Sequence, residues 1–192
     1  MEFTRNSDGR ISDVKGLEDI VSGQDAVKAA AQWMTQFSSG TAMPSAGIAP
    51  GEKWSSDEPA SSLPLSGHVW RTDSTYLRNE PCRPATLAGA APPSTSDGET
   101  CAVILTQLTL LRPRSKKDLT PDEFRRNNLT TSGTWSGSGD SLTYISLQTG
   151  WVVSVTQSMS EQMDVTISTA PEDAVHYVGT VATRSSMSLV TP

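Results

Sequence analysis

Apolar and polar residues alternate with a period of two through the back two-thirds of the chain, which marks β-strands. Over 68–83, Val69, Arg71, Asp73, Thr75 and Leu77 fall on one side, and His68, Trp70, Thr72, Ser74, Tyr76 and Arg78 on the other. The run 100–112 is denser in β-formers, with Cys101-Ala102-Val103-Ile104-Leu105 leading into Leu108, Leu110 and Leu111. Strands are predicted at 131–135 and 141–147, divided by Ser136-Gly137-Ser138-Gly139-Asp140, and at 151–157 after Gln148-Thr149-Gly150. Met163, Val165 and Ile167 carry the alternation over 162–169, and a last strand at 177–182 extends toward Met187, Leu189 and Val190. At the front, Asp8-Gly9 between 2–5 and 10–14 is a hairpin signal. Trp54 anchors a short strand over 52–55.

A period of 3.6 shows in one place. Leu17, Ile20, Val21, Val27, Ala31, Met34 and Phe37 share a face, interrupted at Gly23, and Ser22 with Asp25 supplies a new N-cap with an acid in the first turn. A turn at 17–22 and a helix at 24–38 are expected, closed by Ser38-Ser39-Gly40. Thr120-Pro121-Asp122-Glu123 opens one further helical turn, with Pro at its first position. Short turns between sequential strands dictate antiparallel neighbours. The expected fold is therefore mainly β (α+β): a curved antiparallel meander sheet or half-barrel of about eight strands packed on one main helix. The 192 residues are read as a single domain, 1–192, with long Pro/Gly/Ser-rich loops at 40–66 and 84–99.

Composition narrows the partners. A net charge of −6 argues against a phosphate-binding surface and hence against nucleic acid. No apolar run approaches the ~18 residues of a spanning helix. Cys82 and Cys101 flank the second long loop. A disulfide there would be worth about 3 kcal/mol by the chain-entropy model and would imply an oxidising compartment; the alternative is two unrelated thiols. We expect the disulfide, and with it an extracytoplasmic protein, periplasmic or secreted. Met1 runs directly into a strand with no charged n-region or apolar h-region, so the signal peptide such a protein needs is absent from this sequence.

Candidate chemistry is sparse. His68 and His176 are far apart, and no Gly-x-Ser-x-Gly elbow is present, since Gly133-Thr134-Trp135-Ser136-Gly137 shifts the serine by one place. Both imidazoles are read as surface or half-buried polar groups. Two Cys and two His lack zinc spacing, and Asp57-Glu58, Asp122-Glu123 and Glu172-Asp173 are adjacent acids that point apart on an extended backbone. No metal, cofactor or catalytic residue is assigned, and the chain is not read as an enzyme. Glu80 and Arg83, beside Cys82, are placed to form an ion pair at the loop mouth. Trp33, Met34 and Phe37 on the helix, with Trp70 and Trp151 on strands, either fill the core or line an apolar contact surface.

An opening hairpin with Asp8-Gly9-Arg10-Ile11, a helix, Pro50-Gly51-Glu52-Lys53-Trp54 and a meander with Thr149-Gly150-Trp151-Val152-Val153 resembles bacterial envelope proteins and lipoproteins with a LolA/LppX-like half-barrel fold. The resemblance implies an extracytoplasmic location and, in the carrier branch, lipid binding. It carries over no binding residue, and no lipobox cysteine opens this chain. The expected function is a non-catalytic binding module whose ligand-binding residues are Trp33, Met34, Phe37, Trp70 and Trp151. Its partner would be an apolar small molecule or lipid, or an envelope protein. The alternatives are an assembly subunit that self-associates through strand edges poor in Lys, and a polymer-acting hydrolase.

Overall fold

The computed structural model describes residues 2–5, 11–15, 23, 27, 44, 47–60, 63–83, 98–112, 118–170 and 173–188. The chain divides into two compact units, Met1–Glu52 and Lys53–Pro192. In the first, β1 (Glu2–Arg5) and β2 (Ile11–Lys15) pair antiparallel, Thr4 opposite Ser12 and Arg5 opposite Ile11, as the Asp-Gly signal leads one to expect. Of the expected helix at 24–38, only Val27 is described, its N–H donating to Gly23 O at 3.0 Å. Trp33, Met34 and Phe37 lie outside the described residues.

The second unit is one open antiparallel sheet in the order of the chain: β3 (Lys53–Pro59), β4 (Val69–Pro81), β5 (Thr100–Leu111), β6 (Thr130–Ser146), β7 (Val152–Ser168) and β8 (Val175–Ser188). It has six strands, where a sheet of about eight packed on a helix was expected. The helix described in this unit is α1 (Asp122–Arg126), with Asp122 and Glu123 in its first turn and Arg125 and Arg126 in its last, matching the helix dipole. Pro121 stands just before it, with an extended ψ of 148°, rather than at the first helical position.

One predicted turn and one gap between predicted strands are strand interior. Ser136-Gly137-Ser138-Gly139-Asp140 runs inside β6, and 158–161 inside β7, so four expected strands are two long ones. The glycines there make room rather than turns. A Cβ on Gly137 would stand 2.7 Å from the Trp70 ring, and one on Gly133, whose φ is +133°, only 2.1 Å from Asp164 O of the neighbouring strand. β4 keeps its alternation up to an irregularity between Tyr76 and Arg78 that shifts its register on β5.

The pairing register gives the sheet two unlike faces. One carries Trp54, Trp70, Leu110, Trp135, Met163 and Val165; the other, across β6 to β8, carries mainly Ser and Thr. On the apolar face Leu65, Leu110, Leu119, Trp135 and Val165 form a buried cluster, with Ala60, Trp70, Met163 and Ile167 against it. Leu65 and Leu119 come from the segments 63–68 and 118–121, which close this end of the sheet through Ser66 N–H to Leu119 O (2.7 Å), with Ala60 N–H to His68 O (3.0 Å) beside them. Further along the same face Tyr76, Ala102, Ile104 and Ile145 are buried, and Ser74 and Thr106 hydroxyls satisfy each other at 2.9 Å.

His68 is overturned as a surface or half-buried group. It is fully buried, 5.2 Å from the Trp135 ring. It continues the apolar parity of β4 one residue beyond the strand, which sets it against Trp135 of the buried cluster.

Replacing Gly133 by Ala is expected to cost about 1–3 kcal/mol in urea unfolding, because the added methyl meets backbone on β7 and not a side chain that can move.

Candidate functional site

Cys82 and Cys101 are joined by a disulfide, Cα to Cα 4.9 Å, closing a separation of 19 residues. Both are buried. Glu80 stands opposite Cys101 in the β4–β5 register, and Cys82 N–H donates to Glu99 O at 3.0 Å, so the bridge runs diagonally across the last rungs of the ladder. Beside it lies the densest charged cluster described. Glu80 accepts from Tyr144 Oη (2.6 Å) and from Arg78 Nε (2.8 Å), with Arg83 Nε at 3.8 Å, so the expected Glu80–Arg83 pair forms as the outer part of a larger network. The Tyr144 hydroxyl and then Arg78 hold the Glu80 carboxyl below its ordinary range, while burial and the same Glu80 push the Tyr144 hydroxyl up. Ser154 Oγ donates to Arg83 O at 2.6 Å, and Ser146 Oγ donates to Glu99. With its acceptor atoms taken by Tyr144 and Arg78, Glu80 braces the loop mouth and is not poised as an acid or base.

The two remaining candidate contact residues are not brought together. Trp70 opens β4, opposite Leu110, and its ring reaches over Gly137 into the core cluster. Trp151 lies in the β6–β7 connection at the other end of the sheet, 40% exposed, its N–H donating to Thr149 Oγ1. Among the described residues an open depression on the hydroxyl face is lined by Ser136, Gly137, Ser138, Ser160 and Gln162. Among the described residues no three His, Cys, Asp or Glu gather at metal-binding distance, and no described helix is long and apolar enough to cross a membrane.

β8 is different in kind. It pairs with β7 along its length, Val175 opposite Ile167 to Ser188 opposite Ser154, and among the described residues no strand lies along its other edge. Val175 (67% exposed), Tyr177 (53%), Val178 (66%) and Val181 (44%) are its exposed large apolar side chains. Val175, Tyr177 and Val181 line one face, with the Tyr177 ring lying over Gly179, while Val178 stands on the other beside His176. Its charges are confined to His176, 2.7 Å from Asp164, and Arg184. Lys, Pro and acidic residues, the usual protection of a sheet edge, are missing from it. The sequence showed edges poor in Lys; it did not show which strand would end the sheet, because that depends on every pairing before it.

Comparison of the chain with protein-family models, with curated proteins and with solved structures finds no match.

Two outcomes are expected here. Cys82→Ser with Cys101→Ser should lower unfolding free energy by about 3 kcal/mol in denaturant melts, since the bridge closes a 19-residue separation. Glu80 has a folded-state pKa below its ordinary 4.5, so its contribution is present above 4.5 and is lost as pH falls through the folded value. Urea stability of Glu80→Gln should accordingly fall less steeply below pH 4.5 than that of the unmodified chain.

Proposed function

We propose that this chain is an extracytoplasmic, non-catalytic binding module that takes an extended segment of an envelope protein onto the outer edge of β8. The observation that carries this reading is the exposed row Val175, Tyr177 and Val181 on one face, with Val178 exposed on the other, of a strand with neither Lys nor Pro. An edge strand presents a line of main-chain N–H and C=O groups, and an added strand satisfies them while its alternate side chains cover the apolar row. The apolar face of β8 then continues across the partner, and the hydroxyl face stays in water. The disulfide supports an oxidising compartment.

A small apolar ligand is the weaker reading, because Trp70 fills core and Trp151 stands at the far end of the sheet. Hydrolytic chemistry has as little to draw on: His68 is enclosed under the closing segments, and His176 sits on the opposite face of the edge strand. Self-association is the second reading, favoured by the same edge, since two copies of β8 run antiparallel could pair with each other.

A photo-crosslinking residue at Thr180, in the middle of β8, separates these readings in envelope extracts. The expected product is an adduct of this chain with one other polypeptide, reduced at least tenfold by Val178→Lys with Val181→Lys. An adduct at twice 20.5 kDa would favour the self-associating subunit. No adduct, or one indifferent to the two lysines, would contradict the assignment to β8.

A further inference from the structure

We propose that His68 is a proton-triggered latch: its protonation releases the segments 63–68 and 118–121 from the apolar face of the sheet. The imidazole is 2% exposed, and neither Nδ1 nor Nε2 completes a hydrogen bond of ordinary geometry, although the Leu65 carbonyl lies close by. Among the described residues its ring contact is Trp135, centroids 5.2 Å apart and planes tilted by 50°. A neutral ring is tolerated in such a site, whereas an imidazolium carries two donors that must find acceptors.

The charges around it do not supply them. Residues 63–67, Leu-Pro-Leu-Ser-Gly, contain no ionisable side chain. Arg112, at the end of β5, adds positive charge. On the second closing segment Asp118 is paired with Arg125 at 3.0 Å and also accepts from Thr120 N–H at 2.9 Å. From β7, Glu161 accepts from Trp135 Nε1–H at 2.9 Å. On β3, Glu58 stands opposite Trp70. Burial therefore pushes the His68 pKa below 6.5, Arg112 pushes it the same way, and the Leu65 carbonyl only partly opposes them.

The closing segments are built to move as one piece. Ser66 N–H to Leu119 O (2.7 Å) and Ser66 Oγ to Thr120 O (3.4 Å) tie them to each other. Thr131 N–H to Thr120 Oγ1 (3.0 Å) ties the second to β6. Thr120 Oγ1 also donates to Thr131 O (3.3 Å), so the tie to β6 is concentrated on one threonine, and a partial opening that leaves the ladder intact is open to the pair. Opening exposes Leu65, Leu119 and the Trp135 ring.

The sign follows from linkage. A histidine whose folded pKa lies below its open-state value stabilises the closed form above pH 6.5 and loses that contribution as pH falls toward the folded value. One proton per opening raises the opening constant by as much as tenfold per pH unit in that window.

Hydrogen exchange of the full chain between pH 7.5 and 5.0, corrected for intrinsic rates, tests this. Peptides covering 63–68 and 118–121 should lose protection together as pH falls, by up to tenfold per unit, while β5 peptides keep theirs. His68→Phe should remove the dependence and His176→Gln should retain it. Closing segments equally protected at pH 7.5 and 5.0 in the unmodified chain would overturn the proposal without any variant. So would an unchanged dependence in His68→Phe, or one abolished by His176→Gln.

Discussion

The rest of the structure depends on the main-chain ladder, in which every strand of the sheet pairs with its neighbour in sequence. Because side chains alternate faces along each strand, one fixed register sorts the whole composition at once. Trp54, Trp70, Trp135, Leu108 and Leu110 go to the covered face, and most serines and threonines of β6, β7 and β8 go to the other. A slip of one residue on β7 would send Met163, Val165 and Ile167 into water. Such a sheet also has two ends by construction, β3 and β8. The apolar exposure of β8 belongs to the same topology that builds the core.

The two ends of the sheet are secured by different chemistry, on opposite faces. At one, a covalent bridge and a carboxylate held by a phenol and a guanidinium lock β4, β5 and β6 beside the loop mouth. At the other, closure relies on leucines, a few main-chain bonds and a buried neutral imidazole. The first arrangement is redox-dependent and tolerant of mild acid; the second is indifferent to redox and sensitive to the protonation of one ring. The two ends of one sheet thus answer to different solution variables.

The strands were legible where their alternation was uninterrupted. β4 and β5 lie within a residue or two of the expected ranges, because Val69 to Tyr76 and Cys101 to Leu111 show nothing but strand chemistry. β6 and β7 were misread because glycine and serine at 136–140 carry the local signature of a turn. Their actual reason, the tip of Trp70 lying over Gly137 and Ser158 O against Gly139, comes from other strands and leaves no local trace. Likewise Glu80 and Arg83 were found as neighbours near a cysteine, whereas Tyr144, the partner that lowers the Glu80 pKa most, lies 64 residues away. His68 was read as a surface or half-buried group at the start of a strand. Trp135, the ring it lies against, and Leu65 and Leu119 of the same cluster meet only once the sheet is formed.

Residue-resolved amide exchange on β8 in the free, monomeric chain tests the central claim most directly. An edge strand bonded only to β7 should show alternating protection along Val175–Ser188, slow where the N–H points to β7 and fast where it points away. Uniformly slow exchange along the strand would mean that its outer edge is already paired, and β8 would then have nothing to offer a partner.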